Sequence, residues 1–351
     1  MGNSYLLLSV STFQLTTHNS QLKTLPHFLT IFLFFLTLAS SAQTQWEKLD
    51  SLYGPLPASV HIYRTTSQID GKPNVAYYLE ADLKDKRLDF TVDTTFQRRL
   101  TPDKFYTKNE QPLLVVNTTF FSFASNQNLN LVIKEGRLVS YNVHSVMGKG
   151  KDTLTWRHTL GSAIGISKRR EADVAWLYTD SALKYPYVRQ APLRAVHDSV
   201  NTFTKPKAVQ AIAQSFDNYI RARISFPAWK MRTAVGGGPV LLQDGKIRIT
   251  NNEELKFAGK AIADKHPRTA MGYTPDQKLI ILVIEGRNPG IAEGATLEQT
   301  ARFFVELGCV EALNLDGGGS SCMLVNGKET IRVSDKEGQR PVPAVFLIKR
   351  K

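Results

Sequence analysis

The run NLDGGGSS, from Asn314 to Ser321, constrains this chain more than any other segment, because three consecutive glycines separate two apolar stretches that read as strands. Glycine costs about 0.5–1 kcal/mol relative to alanine in regular structure, so a triplet makes sense where the backbone must come close to something. Asp316, Ser320 and Ser321 bracket it with a carboxylate and two hydroxyls. Two readings stay open: a nest of N–H donors facing a ligand, or a plain hairpin, for which Asp-Gly is itself a strong signal.

The segment upstream reads as part of the same unit. Leu279 to Ile284 is a continuous apolar run, which predicts a strand buried on both faces, and it ends in Glu285, Gly286 and Arg287. Thr296 and Gln299 form a capping box before Leu297, Ala301, Phe304 and Val305, which recur at helical spacing, and Gly308 closes that helix. Ala312 to Leu315 is then the strand that delivers Asp316.

Elsewhere the alternation is strand-like. Val75–Leu83 and Leu88–Val92 read as a pair of strands joined by a charged turn at Lys84 and Asp85, and Leu113–Val116 as a strand presenting Asn117. Asn130–Ile133 and Arg137–Tyr141 flank a Glu135-Gly136 turn, and Val240–Leu242 with Lys246–Ile249 forms a hairpin at Asp244 and Gly245. Val209, Ile212, Ala213, Phe216 and Ile220 place a helix over Lys207–Arg223. The expected class is α+β, with mixed sheets, few helices and one domain over residues 43–351.

In this order, NTTFF at Asn117, GGGPVLL at Gly236, RTAMG at Arg268, EGR at Glu285, NLDGGGSS at Asn314 and RPVPAVFLI at Arg340 resemble the phosphodiester glycosidase family. The chain departs from the family pattern at Thr118 and Thr119, where glycines are usual, and in residues 151–229, a stretch longer than a minimal domain needs. The resemblance implies cleavage between a sugar's anomeric carbon and a phosphodiester oxygen. Arginine suits the phosphate, so Arg268 and Arg287 are the implied cationic residues, while Glu285 and Asp316 supply carboxylates whose roles as nucleophile or base are interchangeable at this point. Asn117 and Asn314 suit hydroxyl or acetamido recognition, and Phe120 or Phe121 a sugar face, although adjacent phenylalanines at a strand end are more often core. Thr269, Gly317, Gly318, Gly319, Ser320 and Ser321 complete the implied substrate-binding set, with Gly237 and Gly238 as the opposite wall. His266 is the one histidine outside the leader that sits among the motifs. No cofactor is required by these residues. The competing class is a binding module for envelope phosphoglycans that kept the cleft without turnover.

Composition excludes other classes. The 351 residues are 42% hydrophobic, enough for a full core, and carry a net charge of +13. A basic surplus favours anionic partners, but no zinc-finger spacing, RNA-recognition signature or basic heptad region is present, so nucleic acid is not an expected partner. No nucleophile elbow or Walker loop occurs either. Cys309 and Cys322 flank the glycine turn almost symmetrically; in an exported chain they read as a disulfide or, equally, as two reduced core cysteines.

Lys23, the apolar run Phe28–Leu38 and the small residues Ser40, Ser41 and Ala42 read as a secretory signal over residues 1–42, too short in its apolar part for a spanning helix. Lys23 is the only charged residue before Gln43, so its removal takes the charge from +13 to +12. The expectation is an exported protein beginning at Gln43. Mass spectrometry of exported material should find that N-terminus, and an intact leader would contradict it.

Overall fold

Strand Lys278–Ile284 shows how the molecule is layered, because its alternate side chains enter two different cores. Leu279, Ile281 and Val283 face one cluster, while Ile280, Leu282 and Ile284 face another, all at 1% exposure or less. A strand with apolar side chains on both faces must be central, and this one is paired on both edges, with Ala76–Asp82 and with Arg268–Tyr273. At about 1.5–3 kcal/mol for each large apolar side chain removed from water, no other placement competes.

The computed structural model describes residues 44–148, 153–214 and 227–351. Eight strands form the sheet around Lys278–Ile284, in the order Glu47–Lys48, Val60–Thr65, Ala76–Asp82, Lys278–Ile284, Arg268–Tyr273, Glu311–Asn314, Val240–Gln243 and Lys246–Ile247. A five-stranded sheet is built on Leu114–Asn117, flanked by Met323–Val325 and Ala344–Arg350, with Leu88–Thr94 at an edge. A six-stranded sheet contains Gly161–Ser167, Ala172–Tyr178, Met231–Gly236 and Val132–Lys134. All three contribute to the central cluster, through residues such as Ile281, Phe346 and Trp176.

Helix Leu297–Glu306 covers the other face of the eight-stranded sheet with Leu297, Ala301, Phe303 and Phe304. Both arms of its capping box are formed: Thr296 Oγ1 accepts from the Gln299 N–H, and Gln299 Oε1 from the Thr296 N–H. Val305, read as part of the apolar stripe, is instead 43% exposed. Strand-rich sheets with few helices make the chain α+β. Among the described residues, no helix is long and apolar enough to cross a membrane.

Several sequence readings change. The paired strands between the described elements are antiparallel, not mixed. Continuous apolarity came from two-sided burial rather than from a parallel arrangement. Ala76–Asp82 and Leu88–Thr94 do not pair with each other; the chain passes from the eight-stranded to the five-stranded sheet between them. Arg170 holds that crossing, donating to the carbonyls of Leu83, Asp85 and Leu88. Strands Gly161–Ser167 and Ala172–Tyr178, inside the long 151–229 stretch, give Ile164, Ile166, Val174, Trp176 and Tyr178 to the central core. The expected helix at Lys207–Arg223 is described over Lys205–Gln214, and its remainder lies outside the described residues, as does the leader.

The disulfide reading is also overturned. Cys309 and Cys322 are free and buried, the first in the cluster under helix Leu297–Glu306, the second in a separate cluster with Phe105 and Val115. The glycine turn carries the chain from one sheet to the other, so its flanks diverge instead of pairing. Thiol labelling of unfolded, unreduced protein should find two free thiols, and none before unfolding; a blocked pair would refute this arrangement.

Candidate active site

Antiparallel pairing brings one end of the eight-stranded sheet together from distant sequence. Arg268 pairs with Ile284, the residue before Glu285; Ala270 pairs with Asn314, and Val240 with Leu313. Arg268, Glu285, the Asp316 turn and the Gly236–Gly238 segment therefore share an edge. Asn117 reaches the same place from the five-stranded sheet, where Val116 pairs with Met323.

Asn117 fastens the two sheets. Fully buried, it donates Nδ2 to the Asp316 carbonyl at 2.6 Å, and its Oδ1 accepts from Thr269 Oγ1 at 2.8 Å and from the Cys322 N–H at 3.1 Å. Thr269 Oγ1 also lies 3.2 Å from Ser321 Oγ. Asp316 donates its N–H to the Thr118 carbonyl at 2.7 Å.

The glycine turn is not an open nest. Gly318 donates its N–H to the Pro267 carbonyl, Ser320 to Gly317 and Ser321 to Gly318, so these amides are consumed inside the fold. Its glycines instead admit other groups. Gly318 has φ of +60°, and a Cβ there would lie 2.9 Å from Arg287 Nη2. A Cβ on Gly319 would collide with the Arg340 guanidinium and the Asp335 carboxylate, which pair through Nε and Nη2 at 2.7 and 2.9 Å. One on Gly237 would strike the Asn314 carbonyl. Each of these contacts needs a bare backbone.

Charge is arranged unevenly around this turn. Burial pushes the Asp316 carboxyl up from 3.8 to about 7, opposed by the Ser320 hydroxyl, the Arg340 guanidinium and the Gly317 N–H. Arg268 is 3% exposed, and burial lowers it to about 10, with Asp264 opposing and Arg287 assisting the fall. Its Nε donates to the Ala295 carbonyl and its Nη2 to that of Asp264, and it forms no ion pair among the described residues. His266 is also depressed, by burial and then by Arg268 and Arg287, against Asp264. Three nitrogenous side chains thus gather beside the turn. Glu285 is occupied: Oε1 accepts from Asn288 Nδ2 and Oε2 from the Arg332 N–H, both at 3.1 Å.

A family model described as phosphodiester glycosidase matches residues 110–349. The chain belongs to the phosphodiester glycosidase family. The catalytic domain of zebrafish N-acetylglucosamine-1-phosphodiester alpha-N-acetylglucosaminidase, auto-inhibited by its pro-peptide, has a similar structure, with a TM-score of 0.55 at 17% identity over 88% of this chain and 89% of that one. A hypothetical protein from Synechocystis matches with a TM-score of 0.56 at 14% identity, over 88% of this chain and 64% of its own. A Burkholderia pseudomallei protein described as exported gives 0.50 at 15% identity, over 82% and 76%. A SPbeta prophage-derived uncharacterized protein, YomE of Bacillus subtilis, is 41% identical over 71 residues, 20% of this chain and 11% of that protein's length.

In this phosphodiester glycosidase domain the implied residues separate by environment. Asp316, Asn117, Thr269, Asn314, Ser320, Ser321, Arg268 and the three turn glycines form one connected cluster, with Arg287 against Gly318. Phe121 does not belong to it. That ring is 8% exposed, packs in the cluster with Phe105 and Val115, and carries Arg99 5.1 Å from its centroid, so it is core. Phe120 lies on the other side, against Phe257 and Lys256. Arg340, Asp335 and Lys256 were not singled out from sequence. Arg340 stood in a quoted motif, but a lone arginine before a proline-rich strand carries no signal of what it faces. Among the described residues, no three His, Cys, Asp or Glu side chains gather to hold a metal.

The raised Asp316 carboxyl has a consequence for stability. As pH rises the unfolded chain ionises at 3.8 and the folded one only near 7, so this group costs no stability below 3.8, an increasing amount through that window, and a constant amount above it. Asp316→Asn removes the titration. Its melting temperature relative to wild type should therefore climb across the window and then level; a flat difference would contradict the buried carboxyl.

Proposed function

We propose that this chain hydrolyses a glycosyl phosphodiester, with Asp316 as the group that moves the proton. The supporting observations are the family match over residues 110–349 and the Asp316 carboxyl, pushed up to about 7 beside the Ser320 hydroxyl and the Arg340 guanidinium, on the turn that Arg287 faces.

In the reaction, the water oxygen bonds to the anomeric carbon and the electron pair of the carbon–oxygen bond leaves with the phosphoryl oxygen, giving a free sugar and a phosphate monoester. The leaving group is already stable as an anion, so arginine can replace much of the acid help an ordinary glycoside needs. Arg287, exposed beside Gly318, and His266 are placed for the phosphate. A carboxyl near 7 is matched to taking the proton of the attacking water at neutral pH. Glu285 accepts from Asn288 and from the Arg332 N–H, one bond to each oxygen, and so holds the loop that carries Arg287. Arg268 braces the same edge through two carbonyls. The leader and the likeness to a protein described as exported support export of this chain.

Release of free sugar from a panel of sugar 1-phosphodiesters tests this directly. Asp316→Asn should lower kcat by about a hundredfold or more with little change in KM, and Arg287→Ala should raise KM for the diester. Wild-type turnover in Asp316→Asn would remove Asp316 from the mechanism. Binding of the diesters without hydrolysis by wild type would make the protein a phosphoglycan-binding module instead.

A further inference from the structure

Lys256 is a cation that forms no ion pair among the described residues, although Glu254 lies nearby. Its side chain is only partly exposed, yet no ion pair or hydrogen bond of its ammonium is present among the described residues. What it does contact is aromatic: Nζ lies 5.7 Å from the centroid of Phe120. Its stem lies against Gly238, where a Cβ would come within 2.6 Å of Lys256 Cε. The neighbouring carboxylate, Glu254, is spent on other donors. Its Oε1 accepts from Trp176 Nε1, the Val240 N–H and Thr250 Oγ1, and its Oε2 from Ser162 Oγ. His144, also within electrostatic range, is half-buried and lowered to about 4 by desolvation first, and it gives its Nδ1 proton to the Thr159 carbonyl. Burial pulls Lys256 itself down, with only Glu254 opposing. An ammonium with no ion pair of its own, set against the Phe120 ring with its stem on Gly238, whose carbonyl accepts from Asn314 Nδ2 of the glycine turn, points to a ligand.

Its position ties it to the site. Phe120 follows the Asn117-Thr118-Thr119 segment that holds Asp316, and its ring meets Phe257 at 5.9 Å. Arg268 lies 5.9 Å from the Phe257 centroid. Lys256 thus contacts Phe120, and Arg268 contacts Phe257, within one Phe257–Phe120 pair. Arg287 and His266 are placed for the diester phosphate, while Lys256 stands against Gly238 and Phe120.

We infer that Lys256 forms a second anion subsite beside Gly238 and Phe120, and that the substrate's sugar carries its own negative group, a carboxylate or a phosphate, besides the diester. This rests on the proposed glycosyl phosphodiester function and names its substrate class.

The test compares three probes: the methyl phosphodiesters of glucose 1-phosphate, of glucuronic acid 1-phosphate, and of glucose 1-phosphate bearing a 6-phosphate. Affinity is read by calorimetry with Asp316→Asn protein, and kcat/KM with wild type. One or both anionic sugars should bind about tenfold tighter than glucose, and Lys256→Met in the same background should erase that preference while leaving glucose affinity within about twofold. Lys256→Arg should keep it. The glucuronate and 6-phosphate arms separate carboxylate from phosphate. Equal affinity for all three probes in the presence of Lys256, no binding of any, or an equal loss for all three in a folded Lys256→Met protein, overturns the inference. Should Lys256→Met fail to fold, Lys256→Gln replaces it with the same expectations. Selective binding of anionic sugars with no hydrolysis by wild type would reject the enzymatic reading and leave the subsite standing.

Discussion

The site depends on the Asn117 side chain. Two sheets meet at the glycine turn, and their junction carries backbone groups that neither sheet's ladder can satisfy. Asn117 supplies the missing partners at once, a donor for the Asp316 carbonyl and an acceptor for the Cys322 N–H and the Thr269 hydroxyl. One amide with no exposure thus fixes both ends of the turn relative to the strand that carries Arg268. In a dry environment each of these bonds is costly to lose, so the turn has one conformation rather than many.

That rigidity allows opposing electrostatics to coexist. Asp316 would ionise readily in water, and burial resists this, while Arg340, the Ser320 hydroxyl and the Gly317 N–H favour the charge. Arg340 is itself held by Asp335, so the cation that tempers Asp316 is already partly neutralised. A carboxyl balanced near neutrality follows from that competition. Behind Gly238, Glu254 collects four donors, and no ion pair between it and Lys256 is present among the described residues.

Much of this was legible in the chain itself. Alternation and capping residues located Leu279–Ile284, the helix after Thr296 and the hairpin at Asp244, because each depends on neighbours within a few residues. The glycine run, Arg268, Glu285 and Asn117 stood out as charges or bare backbone at the ends of apolar strands. Their roles did not. Glu285 and Asp316 were equivalent as letters, and they separated only when Asn288 and Arg332 were found on one and Ser320, Arg340 and the Gly317 N–H on the other, with its carboxyl raised to about 7. Phe120 and Phe121 are adjacent on an extended segment, so they point to opposite sides, and nothing local says which side is core.

The sequence by itself determined which segments become strands, where they stop, and which chemical groups sit at their ends, since hydrophobic period and turn chemistry are local. Tertiary structure decided partnership. Ala76–Asp82 bonds to Lys278–Ile284, roughly two hundred residues away, and not to the next strand, because only that pairing buries both faces. For the same reason Cys309 and Cys322 part company across the turn, and Lys256 acquires its isolation. A lysine is unpaired only with respect to everything folded around it, and that is a property of the packed chain, which no window of residues contains.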